Sequence, residues 1–203
     1  PLSLYAAYNE IDEARYIVER IKTYFEGGHP YQDCAILYRS NAQSRVLEEA
    51  LLRSQLPYRI YGGQRFFERA EIRSSLAYLK LISQRQSDAA FERVVNLPPR
   101  GIGDKSVQKI RDRARENQES LWQAASTLIS SGELTSRATS AVSSFLKLID
   151  DLDAATENFD HPHTGQETSD AAGLKPFYER EGGERGQARL ENLEELIAAA
   201  ETF

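Results

Sequence analysis

The stretch CAILYRSNAQSR, at residues 34–45, joins a short apolar run to a polar segment that leads into a helical pattern. The apolar residues 34–38 are typical of a buried parallel strand. Ser40, with Gln43 three residues later, forms a capping-box pattern that predicts the start of a helix. Residues 34–45 therefore predict a strand followed directly by a helix, as in the open sheets of α/β proteins.

The segments on either side continue this alternation. Residues 2–8 and 57–61 are short and apolar, which predicts two further strands, and Asn9 is placed to cap a helix that ends near Gly27. Two βαβ crossovers in the first 61 residues predict a parallel sheet of three strands. Beyond Gly62 only helical spacings recur. The expected fold class is thus α/β plus all-α, with the α/β portion at 1–62 and a helical portion at 63–203.

Length and composition limit the classes of protein further. The chain has 203 residues, of which 28% are charged and 40% hydrophobic, and its single cysteine, Cys34, excludes an internal disulfide. No run approaches the roughly 20 apolar residues of a membrane helix, and no signal-peptide pattern is present. We therefore expect a cytoplasmic protein without a membrane partner.

Charge is distributed unevenly along the chain. Residues 35–115 hold 16 Lys or Arg against 8 Asp or Glu, a local net charge of +8, whereas the whole chain has a net charge of −6. Arginine, which suits bidentate phosphate contacts, makes up 13 of these 16 basic residues. The basic stretch is compatible with a nucleic-acid surface or with ordinary solvated helix faces.

The first candidate site is the polar turn after residue 38. Ligands bind at the carboxyl ends of strands in open α/β sheets, and a helix N-terminus there favours anions. Arg39, Ser40 and Asn41 are the candidate ligand contacts. The alternative is that Ser40 or Asn41 only caps the helix while Arg39 pairs with a surface acid.

The second candidate site is the sequence PPRGIGDKS at residues 98–106. A Gly-apolar-Gly turn between two helices is typical of a helix–hairpin–helix element, whose glycines let a phosphate approach the backbone. The alternative is a plain glycine turn with Asp104 as the helix cap. The candidate contacts with duplex DNA are Arg100, Gly101, Ile102, Gly103, Lys105, Ser106 and Lys109.

The remaining sequence features give weaker indications of a functional site. The paired Phe66 and Phe67 could stack on bases or belong to the core. His161 and His163 lack a third ligand nearby, so no metal site is predicted. The chain contains no GxxxxGK[ST] loop and therefore no phosphate cradle for ATP.

Several segments together resemble the UvrD/Rep/PcrA family of superfamily 1 DNA helicases. They are AILYRSNAQSR (35–45), YRIYGG (58–63), RFFER (65–69), AFERVVN (90–96), RGIG (100–103) and LENLEEL (190–196), in the same order as in the family. The resemblance implies an ATP-dependent helicase that moves 3′ to 5′ on single-stranded DNA in repair and replication. Residues 1–62 would belong to the N-terminal part of a RecA-like motor subdomain, 2A, and would form part of its parallel sheet. Residues 63–203 would belong to a truncated helical subdomain, 2B.

The resemblance also implies roles for individual residues. Arg39 and Asn41 would contact the backbone of single-stranded DNA, and Gly101, Ile102, Gly103 and the Ser106 hydroxyl would contact duplex phosphates. ATP and Mg²⁺ would be bound by the full-length helicase through motifs outside this chain, so the chain alone is expected to be inactive and to hold no catalytic residue. DNA is the expected partner, whereas binding to repair proteins and self-association stay open.

Two rival functions remain at the level of sequence. A nucleic-acid-binding adaptor without a motor would share the basic stretch, and a protein-interaction module would explain the acidic helical part after Arg115. The polar residues 157–172, where the family has an apolar helical pattern, predict a loop or disordered stretch.

Overall fold

The structure, a computed structural model, describes residues 2–61, 63–156, 168 and 170–200. The chain divides into two units, Pro1–Arg69 and Ala70–Phe203. This division falls seven residues after the predicted end of the α/β portion. The assignment of the two portions to subdomains 2A and 2B stays a prediction.

In its described residues the first unit contains two α-helices and three short 3₁₀ turns. Helix α1 spans Glu10–Glu26 and begins as predicted, because the Asn9 side chain accepts a hydrogen bond from the Asp12 amide at 2.9 Å. Helix α2 spans Ser44–Arg53 and packs on α1. The 3₁₀ turns are Tyr31–Asp33, Asn41–Gln43 and Phe66–Glu68.

The predicted parallel sheet is absent: no strand occurs in the residues that the structure describes, so the RecA-like α/β assignment was wrong. The three apolar runs are non-helical but form no ladder, and Leu2, Leu37 and Tyr61 are largely exposed. A parallel sheet is stable when both of its faces are covered. The core of this unit is too small to supply such cover, since it is built on Val18, Leu51 and Leu56.

The second unit is all-helical in its described part, as predicted. Its helices are α3 (Ala70–Ser83), α4 (Asp88–Val94), α5 (Asp104–Asn117), α6 (Leu121–Ser130), α7 (Ser136–Thr156), α8 (Leu174–Glu181) and α9 (Gly183–Ala200). Helix α6 begins with a capping box, in which the Ser120 side chain and the Gln123 side chain each accept from the other's backbone amide.

One apolar core unites these helices. Helix α3 is central, since it packs on α4, α7 and α9. Its Tyr78 and Leu81 are fully buried with Phe91 of α4 and Phe145 of α7, and the two phenylalanine rings meet edge to face at 5.6 Å.

Helix α8 was not anticipated from the sequence. Pro176 disfavours a helix in this segment. It lies, however, within the first helical turn, where the amide that proline lacks would have no partner in the helix. Most of the predicted polar loop at 157–172 lies outside the described residues. In the described ranges no helix is long and apolar enough to cross a membrane.

Candidate nucleic-acid interface

The glycine turn of the second unit joins α4 to α5. The Asn96 side chain organises it from four residues upstream, because its carboxamide oxygen accepts from the Arg100 amide at 2.7 Å and from the Ile102 amide at 3.3 Å. Asn and Asp side chains often close turns in this way. The turn is therefore held by a side chain as well as by the chain's own hydrogen bonds.

Two residues of the turn point into the protein. Ile102 is 1% exposed and belongs to the core of the second unit. The Arg100 guanidinium donates to the carbonyl of Pro98 at 2.9 Å and to that of Ala172 at 2.8 Å. These two side chains anchor the turn, so Arg100 is already engaged within the chain.

Tyr78 supports the turn from below. Its hydroxyl donates to the carbonyl of Leu97, and the Arg100 guanidinium lies 5.7 Å from the centre of its ring. Burial raises the pKa of Tyr78 to about 12, although the Arg100 charge pulls in the opposite direction. The phenol therefore stays protonated and donates at neutral pH.

The outer face of the turn is open. A Cβ added to Gly101 or Gly103 would meet no atom of a described residue within 4 Å. Gly101 has φ +78°, which favours glycine, but Gly103 has φ −78° and ψ 163°, which any residue adopts. The conformation and the described neighbours of residue 103 therefore do not require a glycine. A ligand that approaches the backbone closely would require one, because a Cβ would be in its way.

Helix α5 begins at this open face. Its N-cap, Gly103, offers no side-chain cap, so the first amides of the helix depend on other partners. Lys105 is exposed and makes no hydrogen bond or ion pair to any described residue, and Ser106 is half-buried beside it. The predicted residues Gly101, Gly103, Lys105 and Ser106 thus lie together.

Lys109, one turn further along α5, differs from Lys105. Its ammonium group donates to the backbone carbonyl of Glu133 and lies 3.9 Å from that residue's carboxylate. Much of the basic stretch is paired in the same manner, as Arg113 is with Glu119 and Glu133. The surplus of positive charge therefore concentrates on a few unpaired side chains.

The polar turn of the first unit also forms as a turn. The Gln43 side chain accepts from the amides of Arg39 and Ser40 at 2.9 and 3.1 Å, which is the capping interaction that the sequence predicted. The Arg39 side chain is exposed and makes no contact with a described acid. Asn41 lines a cleft of about 430 Å³, but Arg39 does not, so the two side chains do not share that cleft.

The two adjacent phenylalanines, for which base stacking and core packing were both considered, differ in exposure. Phe66 is fully buried, whereas Phe67 is 48% exposed. In the described ranges no group of three or more His, Cys, Asp or Glu side chains could hold a metal. His161 and His163 lie outside those ranges.

Sequence reasoning missed Asn96 and three residues of α7 near the turn, Arg137, Ser140 and Ser144. Asn96 had a signal, since an Asn before a Pro-rich turn is a typical turn initiator. The α7 residues had none, because only the packing of the helices brings them beside Arg100 and Gly101.

The chain is similar in sequence to DNA helicases. The model of the "UvrD-like helicase C-terminal domain" family matches residues 1–203. The chain is 54% identical to "DNA helicase II" of Escherichia coli, 48% to "DNA helicase II" of Haemophilus influenzae and 36% to "ATP-dependent DNA helicase PcrA" of Staphylococcus aureus. These matches cover 98–100% of the chain but 27–28% of the relatives. The chain thus spans just over a quarter of their length.

Proposed function

Since the chain belongs to the family of UvrD-like helicase C-terminal domains, we propose that it is a DNA-contacting part of an ATP-dependent helicase that unwinds DNA in the 3′-to-5′ direction. Within it, the turn at residues 100–106 meets duplex phosphates, and residues 39–41 meet the backbone of single-stranded DNA. The observation that carries the proposal is the open glycine turn with an unpaired lysine beside it.

The duplex contact follows from the chemistry of the turn. Phosphate oxygens accept hydrogen bonds from the first amides of a helix, and the helix dipole adds to the attraction. Gly103 leaves room for that approach, Lys105 supplies an unpaired charge, and Ser106 supplies a hydroxyl. Such contacts position a duplex without reading its sequence. Lys109 contributes less because Glu133 already holds it.

The single-strand contact depends on Arg39. Its guanidinium is exposed and unpaired within the described part of the first unit, while its backbone is fixed by Gln43. A fixed backbone with an unpaired guanidinium suits contact with a DNA backbone phosphate, whatever the base sequence. Ser40 and Asn41 add polar groups at the same turn.

ATP and Mg²⁺ belong to the proposal only for the whole helicase. The 203 residues contain no GxxxxGK[ST] loop, so this chain offers no cradle for the phosphates of ATP. The purified 203-residue chain is therefore expected to hydrolyse no ATP. A role in DNA repair and replication in the cytoplasm, and any contact with repair proteins, are parts of the proposal for the whole protein.

The test uses two labelled probes with the 203-residue chain: a blunt DNA duplex and a DNA single strand. Fluorescence anisotropy over a range of salt concentrations gives the slope of log affinity against log salt. Lys105→Ala should lower the slope for the duplex by about 0.9, and Arg39→Ala should lower the slope for the single strand by about 0.7. Each variant should leave the other probe nearly unaffected.

Lys175→Ala and Arg20→Ala are the controls for Lys105→Ala and Arg39→Ala, respectively. Each removes an exposed charge, in the same unit as its counterpart, from a residue that is not among the proposed contacts. If the unsubstituted chain shows no salt-dependent binding to either probe, the proposal fails and a protein-interaction module becomes the better explanation. If Lys105→Ala binds the duplex with unchanged affinity and slope, the role of the turn is refuted.

A further inference from the structure

An open pocket of about 600 Å³ lies beside the glycine turn within the second unit. Arg100 and Gly101 line one side of it, and α7 lines the other with Arg137, Ser140, Ala141 and Ser144. We call it the Arg137 pocket. Among the residues that the structure describes, its lining contains two arginines and two serines but no carboxylate, so its chemistry suits an anion.

The α7 side of the pocket presents groups that are free to bind. Arg137, Ser140 and Ser144 are spaced by three and four residues, so they share one helix face about 10 Å long. Arg137 is exposed and makes no hydrogen bond or ion pair to a described residue.

The two serine hydroxyls differ from others in this unit. Ser126 and Ser130 of α6 donate back to carbonyls of their own helix at 3.0 Å, whereas the hydroxyls of Ser140 and Ser144 have no partner in the described ranges. Both serines are exposed. Their hydroxyls are therefore available to a ligand in the pocket.

The charge of α7 changes sign along its length. Residues 136–149 contain Arg137 and Lys147 and no acidic residue, and the acidic residues begin at Asp150. The acidic end is partly neutralised, since Arg85 pairs with Asp150 at 3.2 Å and with Asp153 at 2.9 Å. The pocket thus lies at the positive end of the helix.

Arg100 gives the pocket a fixed side. Its guanidinium is held by the carbonyls of Pro98 and Ala172, so its charge stays in place with little loss of side-chain entropy on binding. Gly101 belongs both to this pocket and to the turn. An anion in the pocket would therefore lie next to an anion bound at the turn.

We propose that the Arg137 pocket binds a second backbone phosphate of the duplex, so that the duplex contact continues from the turn onto α7. The inference rests on the proposed function of the turn. A polyanion fits better than a free phosphate ion because the pocket is open and adjoins another anion-binding surface. Arg137 supplies the charge, and Ser140 and Ser144 supply hydrogen bonds.

The test measures binding of the 203-residue chain to a blunt DNA duplex by anisotropy against salt. Arg137→Ala should weaken binding roughly threefold to tenfold and lower the salt slope by about 0.9. Arg137→Lys should keep the slope, because the charge remains, but not the full affinity, because the planar fork is lost. Arg185→Ala is the matched control, because Arg185 is likewise exposed and makes no hydrogen bond or ion pair to a described residue.

Ser144→Arg tests the same pocket by a gain of charge, so a folding defect cannot imitate its effect. It should tighten binding and steepen the slope by about 0.9. If Arg137→Ala has no effect while Lys105→Ala weakens binding, the inference is overturned and the function of the turn stands. If Ser144→Arg leaves binding unchanged, the inference is likewise overturned. If neither Lys105→Ala nor Arg137→Ala weakens binding, the proposed role of the turn fails as well.

Discussion

The carboxamide oxygen of Asn96 accepts a hydrogen bond from the backbone amide of Arg100 at 2.7 Å. The same oxygen also accepts from the amide of Ile102 at 3.3 Å, so one side chain fixes both ends of the strongly bent segment before Gly103. The proposed phosphate contact depends on the direction of backbone amides. Asn96 therefore acts as a positioning residue for the turn.

Asn96→Ala should lower the free energy of unfolding by about 1 kcal/mol, because two amides lose their acceptor. Asn96→Asp keeps the acceptor oxygens and should be nearly as stable as the unsubstituted chain. It should nevertheless bind duplex DNA less tightly, because it adds a negative charge beside the turn. Urea unfolding and duplex anisotropy separate the two effects. Asn117→Ala is the control, since that exposed amide donates only to its own helix.

Gly101 and Gly103 should respond differently to substitution by alanine. Gly101→Ala should cost about 1 kcal/mol of stability, because φ +78° is unfavourable for a residue with a Cβ. Gly103→Ala should cost only about 0.5 kcal/mol, the loss expected when alanine replaces glycine at an N-cap, because its backbone is ordinary and no described atom lies within 4 Å of the added Cβ. It should nevertheless weaken duplex binding.

Gly132→Ala serves as the control for this pair. Gly132 also has a positive φ, +69°, and open surroundings, but it lies in the turn after α6. It should lose stability as Gly101→Ala does and keep its affinity for DNA. A Gly103→Ala variant with normal affinity would contradict the close approach of a phosphate.

Two buried tyrosines predict a loss of stability in alkali. Burial raises the pKa of both Tyr78 and Tyr178 to about 12, whereas the unfolded chain has the ordinary value near 10. The folded state therefore holds these protons more strongly. Their contribution is complete below about pH 10 and is lost as the pH rises toward about 12.

Tyr178→Phe isolates this effect, because the Tyr178 hydroxyl makes no hydrogen bond in the described part of the chain. The fall in unfolding free energy between about pH 10 and about pH 12 should be smaller in the variant by up to about 2 kcal/mol. Urea unfolding at both pH values measures it. Tyr61→Phe, whose ring is 83% exposed, should show the same fall as the unsubstituted chain.

The sequence allowed most of the helices to be predicted, since their apolar residues recur at a regular spacing and their ends carry caps. Asn9 and the Ser40–Gln43 pair act in the structure as the sequence predicted. The sheet could not be predicted correctly by the same reasoning. An apolar run identifies a segment that can become a strand, but its pairing depends on partners that periodicity does not reveal.

The motif of the candidate site could be recognised in the sequence, but the arrangement of its side chains on the surface could not. The glycine turn and Lys105 were identified because both lie within nine consecutive residues. The inward role of Arg100 and the pairing of Lys109 with Glu133 depend on contacts across 72 and 24 residues. Arg137 joins the turn only through packing, so charge counting along the chain assigned it to the acidic part.

Glu48 of the first unit is the acceptor of a buried network that the sequence did not indicate. It is 7% exposed and accepts from the Ser44 hydroxyl at 2.8 Å, the Phe66 amide at 3.1 Å and the Tyr58 hydroxyl at 3.2 Å. Arg69 completes the network by donating to the Ser44 hydroxyl at 2.7 Å. The network thus ties α2 to the extended segment at Tyr58 and to the 3₁₀ turn that begins at Phe66, in a unit with a small apolar core.

Glu48→Ala should therefore destabilise the first unit by about 2 kcal/mol or more, because it leaves several buried donors without an acceptor. Glu48→Gln, which keeps one carbonyl oxygen, should lose less. Hydrogen exchange followed by mass spectrometry should show faster exchange in peptides of residues 44–69 and unchanged exchange in the helices of the second unit. Glu19→Ala, an exposed change on α1, should leave both unaffected. Equal exchange in Glu48→Ala and the unsubstituted chain would show that the network contributes nothing to the stability of this unit.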